Sequence, residues 1–460
     1  MQEYGTPALF VTFSPADLYN SLFGVCGGID LRSWQHMSLH DRAVFITSHP
    51  HVAALAFDKM VSNFLDVVVR RKHEKPGLFG DCIAYFGIVE AQGRGTLHLH
   101  LLLWLKDNPN PQALRDTMEG DGDFRRNVIT WLEDIIQCEL PGQMHVVRES
   151  NNAPPALQEG DLDPRILDMP RIDRMSQDEF ETEFERVVTE LVIACNWHVH
   201  TDTCWKHLHS GEPRNDAHCR MWIDGLTRAE TEIDPQTWSV LLHHLHLCIN
   251  NYNACVMFLL QCNMDIKYIG SGPAAKALLF YITDYITKSS LSVHAGLDAL
   301  KYALARTEQS IVDNTDEGVK EKTLFVKSVN AMMGRQELSH QQVMSYIVGG
   351  GDHYKSHAFI SVNWPRLDDI VQQLEDGTVN SENEQSYVSV DAEGVHSKDL
   401  AIDYRLRPSE LPFTSMSFWE YTRKVEKMTV NSEHSRLDRN AKSRSRQHNR
   451  GVLKGRPANA

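Results

Sequence analysis

Long hydrophobic runs are missing from this 460-residue sequence. The longest apolar stretches, such as Leu101–Leu105 and Ala254–Leu260, are far shorter than the ~20 residues that a helix needs to cross a bilayer. The first residues, Met1–Phe10, include Glu3 and no basic segment ahead of an apolar one, so they do not have the pattern of a signal peptide. We therefore expect an intracellular protein that is neither secreted nor embedded in a membrane.

The sequence also lacks the regular cysteine spacing of a disulfide-stabilised domain. Its nine cysteines are an odd number spread unevenly along the chain, which indicates free thiols used for packing or metal binding in a reducing compartment. The phosphate-loop pattern and the nucleophile-elbow pattern of serine hydrolases are absent as well. Neither an ATP site nor serine acyl transfer is therefore expected.

A basic balance, which phosphate binding favours, is missing from the chain as a whole. Its 46 Lys and Arg residues against 61 Asp and Glu residues give a formal net charge of -15. The exception is the segment 436–460, where eight basic residues accompany the single acid Asp438. This Ser- and Asn-rich segment predicts a disordered basic tail, either simply solvated or acting as a nucleic-acid or nuclear-import patch.

The remaining composition is that of a globular protein with two or three domains. Residues 149–175 are rich in Pro, Asn and Asp, which predicts a loop or insertion. Residues 366–404 are rich in acidic residues, Ser, Asn and Gly, which predicts a linker or insertion. The predicted segments are 1–148 and 226–300 as two parts of one main domain, 149–175 as a loop or insertion, 176–225 as a helix with a Cys/His segment, 301–365 as a helical extension, 366–404 as an acidic linker or insertion, 405–435 as a short structured segment and 436–460 as the tail.

Strand and helix patterns are mixed without regular βαβ alternation, which favours the α+β class with an antiparallel sheet. Strands are predicted at Leu9–Phe13 and Asp265–Ile269, and a helix is predicted to start within Pro15–Leu22. Ser176 followed by Glu179 is a capping box, which predicts the start of another helix.

A β-hairpin is predicted where Cys82–Glu90 and Thr96–Leu105 flank a Gly-rich turn. In the second strand His98 and His100 are two residues apart and therefore share a face. The apolar residues that follow indicate that both faces of this strand are covered. Buried imidazoles need polar partners, because an unpaired buried polar group costs ~1 to 3 kcal/mol.

Pairing of the hairpin around its turn places Glu90 opposite His98, with Gln92 next to Glu90 on the same face. Two imidazoles and a carboxylate with an open side suit a catalytic Mg²⁺ or Mn²⁺ ion. A pair of packing histidines is the alternative interpretation. The predicted metal ligands are His98 and His100, with Glu90 or Gln92 as the third.

A second pattern lies in the predicted helix Ala274–Ser289. Spacings of four and three residues place Tyr281, Tyr285 and Lys288 on one helix face. A tyrosine hydroxyl acts as a covalent nucleophile once a nearby cation or metal stabilises its deprotonated form. Two such hydroxyls one turn apart suit a reaction that cleaves one phosphodiester and then another, whereas packing tyrosines are the simpler alternative.

A third pattern is the dense Cys/His segment 195–219. Thiolates and imidazoles at this density in a reducing protein are typical of a structural zinc site. The four predicted zinc ligands are His198, His200, Cys204 and Cys219. Their spacing is not that of a standard zinc finger.

These motifs follow one another in an order that resembles the Helitron helicase-like N-terminal domain, the HUH replication-initiator endonuclease part of Helitron rolling-circle transposases. The similar stretches are Phe10–Phe13, Glu90–His100, His198–Cys204, Ile249–Asn253, Cys262–Gly272 and the two-tyrosine helix, so the resemblance extends over residues 8–350.

The resemblance implies a ferredoxin-like antiparallel sheet with flanking helices, a divalent cation held by His98 and His100, and Tyr281 and Tyr285 as nucleophiles. It also implies that Lys288 holds the scissile phosphate or the departing oxygen. Arg94 and Lys267 are expected to contact DNA. In such enzymes a tyrosine attacks single-stranded DNA and forms a 5′-phosphotyrosine with a free 3′-OH.

The predicted function is therefore metal-dependent nicking and joining of single-stranded DNA by a tyrosine HUH endonuclease and strand transferase. The alternative is a catalytically inactive DNA-binding fragment of such a transposase. Complete transposases of this kind continue into an ATP-driven helicase, so the expected partners are single-stranded DNA and a helicase domain that is separate or missing. A nuclear location is expected from the eukaryotic family and the basic tail.

Overall fold

The structure is a computed structural model that describes residues 4–92, 95–147, 162–170, 172–206, 225–270, 293–310, 317–333 and 338–357, short pieces between these ranges, and separate pieces beyond 357. It divides into two compact units, 1–357 and 358–460. Arg94, Tyr281, Tyr285 and Lys288 lie outside the described residues.

One antiparallel sheet organises the first unit. The strands described in this unit are β1 Leu9–Ser14, β2 Cys82–Ala91, β3 Leu97–Leu105, β4 Glu232–Ile233, β5 Val240–Leu241, β6 Asn263–Tyr268 and β7 His353–Lys355. The main sheet has the order β6, β1, β3, β2, β7, whereas β4 and β5 pair separately. Helices separate β1 from β2 and β3 from β6, so the chain has the split βαβ connections of a ferredoxin-like sheet, with β7 added at one edge.

The hairpin of β2 and β3 has the predicted register. Glu90 pairs with His98 and Ala91 with Leu97, and this register continues to the pair Ala84 and Trp104. It shifts only between Cys82 and Ala84. Because cross-strand partners share a face, the carboxylate of Glu90 projects from the same side of the sheet as the His98 imidazole.

Helices cover the other face of the sheet. The helices of the first unit are α1 Ser21–Cys26, α2 Leu31–His36, α3 Leu39–Ser48, α4 Pro50–Asn63 with a π-helical continuation Phe64–Val69, α5 Pro111–Gly120, α6 Gly122–Ile135, α7 Gln177–Cys195, α8 Ala254–Leu260, α9 Val293–Ser310, α10 Glu317–Met333 and α11 His340–Val348. Alternate residues of β1 and β3, such as Val11, Leu99 and Leu101, join a large apolar core with residues of α4, α6, α7 and α8. The predicted α+β fold, with an antiparallel sheet and flanking helices, is confirmed.

Both faces of β3 are buried, as predicted. The second face has its own small apolar cluster, in which Phe10, Ala84, Leu102 and Trp104 pack together. His98 and His100 belong to this second face because they share the even-numbered positions of β3. The two histidines thus lie on the same sheet face as this apolar cluster.

The first helix begins within its predicted segment, Pro15–Leu22. Residues 17–19 form a turn, and α1 begins only at Ser21. The side chain of Asn20 accepts a hydrogen bond from the backbone N–H of Leu22 and so caps α1. The capping box predicted at Ser176 and Glu179 is present at the start of α7.

The second unit contains short elements. They are the strands β8 Val388–Asp391, β9 Gly394–Ser397, β10 Val425–Met428 and β11 Val452–Gly455, and the helices α12 Leu400–Arg405 and α13 Phe418–Lys424. Strand β11 lies in the predicted disordered tail and pairs with β10, which differs from that prediction for these four residues. In the described part of the chain, no helix combines the length and apolar character needed to cross a bilayer.

Candidate metal centre

The two hairpin histidines lie side by side on the second face of the sheet. Their ring centroids are 4.4 Å apart and the rings are nearly perpendicular. His98 is 8 % exposed, and burial lowers its pKa to about 4. The His98 imidazole is therefore neutral at physiological pH, which is the form that binds metal ions.

Polar side chains hold His98 from the neighbouring strand and from the turn. Its Nδ1 atom forms a very short hydrogen bond with the hydroxyl of Ser14 in β1. The amide nitrogen of Gln92 lies 3.2 Å from the same Nδ1 atom and donates to Ser14 Oγ at 3.0 Å. These contacts fix the orientation of the ring and engage only its Nδ1 side.

His100 is held in a similar way. Its Nδ1 atom is 3.2 Å from the hydroxyl of Thr12, and its ring stacks on Phe10 with centroids 5.6 Å apart. Its Nε2 atom is 3.8 Å from a carboxylate oxygen of Glu90. Glu90 therefore lies on the Nε2 side of His100, whereas Gln92 contacts the Nδ1 side of His98.

This donor arrangement fits a divalent cation. Metal-binding histidines use one ring nitrogen for the metal, while a polar group holds the other. Here Ser14 and Thr12 hold the Nδ1 atoms of His98 and His100. The ligand atoms of Glu90 and the two histidines are less closely grouped than those of the Cys/His segment, so the Glu90 side chain would have to turn inward to complete the set.

Lys267 lies on the same sheet face but is engaged in an ion pair. Its Nζ atom is 3.1 Å from the carboxylate of Asp265 in β6. Asp265 is paired across strands with Thr12, which in turn pairs with His100. A cation predicted to contact DNA is thus within two strands of the histidine pair.

The Cys/His segment brings its four predicted zinc ligands together. One ligand atom from each of His198, His200, Cys204 and Cys219 lies within 4.8 Å of the others. The Nε2 atom of His198 is 3.6 Å from Cys204 Sγ, 3.4 Å from Cys219 Sγ and 3.1 Å from His200 Nδ1. Thiolates and imidazoles that converge in this way are the ligands that zinc prefers.

Further contacts favour metal binding by this cluster. On the other side of the His200 ring, the Nε2 atom is 3.2 Å from the carboxylate of Asp216. A carboxylate is the usual outer partner of a zinc-bound histidine. Burial is the main factor that lowers the pKa of His198, and a neutral imidazole is the binding form. Cys204 and Cys219 are both buried.

A different cluster joins α6 to the segment after β5. The ring nitrogens of His243 are each 3.2 Å from a carboxylate, one of Glu133 and one of Glu139. The thiol of the buried Cys138 donates to the backbone carbonyl of His243 at 2.7 Å. Hydrogen bonds that the ring donates to the carboxylates of Glu139 and Glu133 raise the pKa of His243 to about 9, which favours the protonated imidazolium at neutral pH.

Sequence reasoning missed the groups that hold the metal-site histidines and His200. Ser14 and Thr12 alternate with buried apolar residues in β1, and this alternation was the available signal. Asp216 carried no comparable signal, because it begins a short 3-10 helix, Asp216–His218, that no periodicity in the sequence indicates.

One comparison with known proteins found a match. The family model for the Helitron helicase-like domain at the N-terminus matches residues 1–103, which include β1, β2 and both histidines of β3. No curated protein matches the chain. Over residues 1–103 the chain is therefore similar to the Helitron helicase-like N-terminal domain, which confirms the resemblance there and is consistent with a role related to Helitron transposases.

Proposed function

We propose that the protein is a metal-dependent endonuclease that nicks and rejoins single-stranded DNA in Helitron-type transposition. The observation that carries this proposal is the neutral His98 beside His100, with the Glu90 carboxylate in register on the same sheet face. A buried and a partly buried imidazole, both held at Nδ1, with an adjacent carboxylate are a costly arrangement for packing alone. They are a suitable arrangement for a catalytic Mg²⁺ or Mn²⁺ ion.

His98, His100 and Glu90 would hold the cation. The geometry supports Glu90 rather than Gln92 as the third ligand, because Gln92 contacts the side of His98 that Ser14 already holds. When bound, the ion polarises the scissile phosphate and stabilises the negative charge that develops on it. Thr12 and Ser14 hold the Nδ1 atoms of the two rings, so the Nε2 atoms would be the ones that bind the cation.

Tyr281 and Tyr285 would act as the nucleophiles. The phenol oxygen forms a bond to phosphorus and loses its proton, while the bond from phosphorus to the 3′ oxygen breaks and that oxygen gains a proton. This leaves a 5′-phosphotyrosine and a free 3′-OH. The second tyrosine then allows another cleavage while the first is occupied, and Lys288 would neutralise charge on the phosphate or the departing oxygen.

The cluster of His198, His200, Cys204 and Cys219 would bind a structural zinc ion in this proposal. It contains two thiols and two imidazoles, which fill a tetrahedral site without an open position. The zinc would tie the segment after α7 together, and the DNA chemistry would stay at the hairpin. Unwinding of DNA would be supplied by a helicase domain, because this chain has no phosphate loop.

A second candidate is a DNA-binding protein of the same fold that no longer cleaves. The looser grouping of the Glu90, His98 and His100 ligand atoms favours it. The two functions share single-strand binding and differ in whether a covalent protein–DNA product forms.

The deciding experiment incubates the purified chain with labelled single-stranded DNA and Mn²⁺ and resolves the products on a denaturing gel. We expect a covalent band that EDTA abolishes. Changing both Tyr281→Phe and Tyr285→Phe should remove the band and leave DNA binding unchanged. The matched control is Tyr302→Phe, because Tyr302 is a half-exposed tyrosine in α9 and its loss should not alter the band.

The His98→Ala variant tests the metal centre separately. We expect metal-dependent cleavage to fall by at least the ~100-fold typical of losing a key electrostatic group. Unchanged Mn²⁺ dependence would contradict the assignment of the hairpin site. DNA binding without any covalent product, across a varied set of oligonucleotides, would establish the binding protein instead.

A further inference from the structure

A cleft beside the proposed metal centre has the size of a small-ligand site. Its volume is about 960 Å³, near the upper end of the ~300 to 1,000 Å³ typical of such sites. Ser14 and Gln92 line it, and the same two side chains hold Nδ1 of His98. A group bound in the cleft is therefore separated from the His98 ring by a single layer of side chains.

One wall of the cleft carries a guanidinium group. Arg165 lies over the ring of Tyr19 at 3.6 Å, and both residues line the cleft. Asp163 accepts hydrogen bonds from Nε and Nη2 of Arg165 at 2.7 and 2.5 Å, which fixes the guanidinium plane. A fixed guanidinium is well suited to a phosphate oxygen or to the face of a base.

A second guanidinium lies near the same tyrosine. Arg42 lies 5.5 Å from the centroid of the Tyr19 ring and is 8 % exposed. Within the described part of the chain, its Nε and Nη1 atoms are buried without a hydrogen-bond partner. Arg42 does not itself line the cleft, so Arg165 is the guanidinium that a bound phosphate would meet.

The other side of the cleft presents a buried acceptor. Asp17 is 7 % exposed and accepts a hydrogen bond from the amide of Gln341 at 3.3 Å. The carbonyl oxygen of the same amide accepts from the backbone N–H of Leu97 at 3.3 Å. This arrangement positions a carboxylate at the cleft wall, where it can accept a hydrogen bond from an amino group of a nucleobase.

We propose that this cleft binds one nucleotide of the single strand next to the cleaved linkage. The phosphate lies toward Arg165, and an amino-bearing base (cytosine, adenine or guanine) donates to Asp17. Thymine is disfavoured because it has no exocyclic amino group and its single N3–H donor lies between two carbonyl oxygens that the carboxylate repels. This inference rests on the proposed function, because that function places the scissile phosphate next to the cleft. It adds a base preference to that function.

The test measures binding in the absence of chemistry. The full chain carrying Tyr281→Phe and Tyr285→Phe is titrated with fluorescent oligonucleotides in which single positions are made abasic. We expect one position to lower affinity about tenfold, because a stacked or hydrogen-bonded base contributes ~1 to 3 kcal/mol. At that position thymine should bind more weakly than the amino-bearing bases.

Variants of the cleft should then remove this preference. Asp17→Asn should make binding insensitive to the abasic substitution, and Arg165→Gln should weaken binding for every base. The matched controls are Asp116→Asn and Arg126→Gln, since both residues lie on exposed helix surfaces and form only local pairs. A flat abasic scan, or an unchanged preference in Asp17→Asn, would overturn the proposal.

A cross-linking measurement avoids any dependence on the folding of the Asp17 variant. Thr47 lines the cleft and is exposed, as is the adjacent Ser48, which does not line it. An oligonucleotide with a thiol-tethered base at the sensitive position should form a disulfide with Thr47→Cys and not with Ser48→Cys. Equal cross-linking of the two would place the base elsewhere.

The two proposals fail in different ways. Absence of a covalent band from the unmodified chain with Mn²⁺ would reject the nuclease and leave the base preference measurable. Loss of the preference alone would reject the nucleotide cleft and leave the nuclease intact.

Discussion

The imidazole of His243 is held between two carboxylates. Its charge, and therefore its contribution to the stability of the fold, depends on pH. The carboxylates of Glu139 and Glu133 stabilise the protonated ring and raise its pKa to about 9, from about 6.5 in an unfolded chain. A raised pKa in the folded state means that the fold binds this proton more tightly than the unfolded chain does. Its stabilisation is complete below about pH 6.5 and is lost as the pH rises through about 9.

The His243→Gln variant tests this ion pair. At pH 6 we expect it to lower the free energy of unfolding by about 1 to 3 kcal/mol, a figure reduced for the partial exposure of the three side chains. At pH 10 the parent and the variant should have nearly equal stability. Denaturant unfolding at the two pH values measures both differences.

His145→Gln is the control for that measurement, because His145 is exposed. Its effect should be small and the same at both pH values. A His243 variant whose effect does not change between pH 6 and pH 10 would contradict the charged-pair interpretation.

Single residues could be predicted where they lie in an element with a regular period. Glu90 was correctly placed opposite His98 because the alternation of a strand and the centre of its turn define the register. Arg165 was not singled out, because it lies in the Pro-rich stretch predicted as a loop or insertion. Its approach to Tyr19 joins residues far apart in sequence, and no local pattern encodes that contact.

The π-helical continuation of α4 illustrates how elements restrict one another. It ends at Val69, and the loop that follows returns so closely that a side chain on Gly77 would meet the backbone carbonyl oxygens of Val68 and Val69 at 2.3 and 2.4 Å. Leu78 donates its N–H to the Val68 carbonyl at 2.9 Å. This close approach of two backbones requires a glycine.

We expect Gly77→Ala to lower the free energy of unfolding by about 1 to 3 kcal/mol, since neither carbonyl can move without disturbing the π-helical turn. Thermal and denaturant unfolding measure the loss. The matched change is Gly120→Ala, where open space surrounds the new methyl group and stability should hold or rise slightly. Equal stability of the two variants would show that the loop shifts freely.

The Cys/His element gives a prediction about metal content. We expect the purified chain to contain about one zinc ion, because four ligands that lie together form a closed structural site. The Cys219→Ser variant should lose it, whereas Cys255→Ser should retain it because Cys255 is exposed on α8. Elemental analysis measures both, and a parent protein without zinc would contradict the assignment.

The elements themselves were largely predictable. The strands of the hairpin, β1, β6 and the capped start of α7 agree with the sequence patterns to within a few residues. The start of α1 lies within the predicted segment Pro15–Leu22, and the Asn20 cap places it at Ser21, after the turn at residues 17–19. Apolar periodicity does not predict which single side chain caps a helix.

At the scale of the whole molecule, the net charge of -15 opposes DNA binding, so affinity must come from local cations. We expect the combined change of Arg444, Arg446 and Arg450 to Gln to weaken single-strand binding at low salt. The slope of log affinity against log salt should fall by ~0.7 for each phosphate contact that is lost. Fluorescence titration at several salt concentrations measures the slope.

Arg115→Gln serves as the comparison, because Arg115 lies on the exposed surface of α5. If the three tail changes alter the slope no more than this single change, the tail is a solvated segment without a role in binding. Charge at this scale was the least informative property of the sequence, since the tail has a sign opposite to that of the whole.

Strand β1 has a consequence for the order in which the chain matures during synthesis. It provides the hydroxyls that hold both histidines, and it pairs on one side with β3 and on the other with β6. Strand β6 begins at Asn263, so one edge of β1 stays unpaired while the ribosome makes the long intervening segment. The sheet is therefore closed late, and a partly made chain cannot yet present a finished site to DNA.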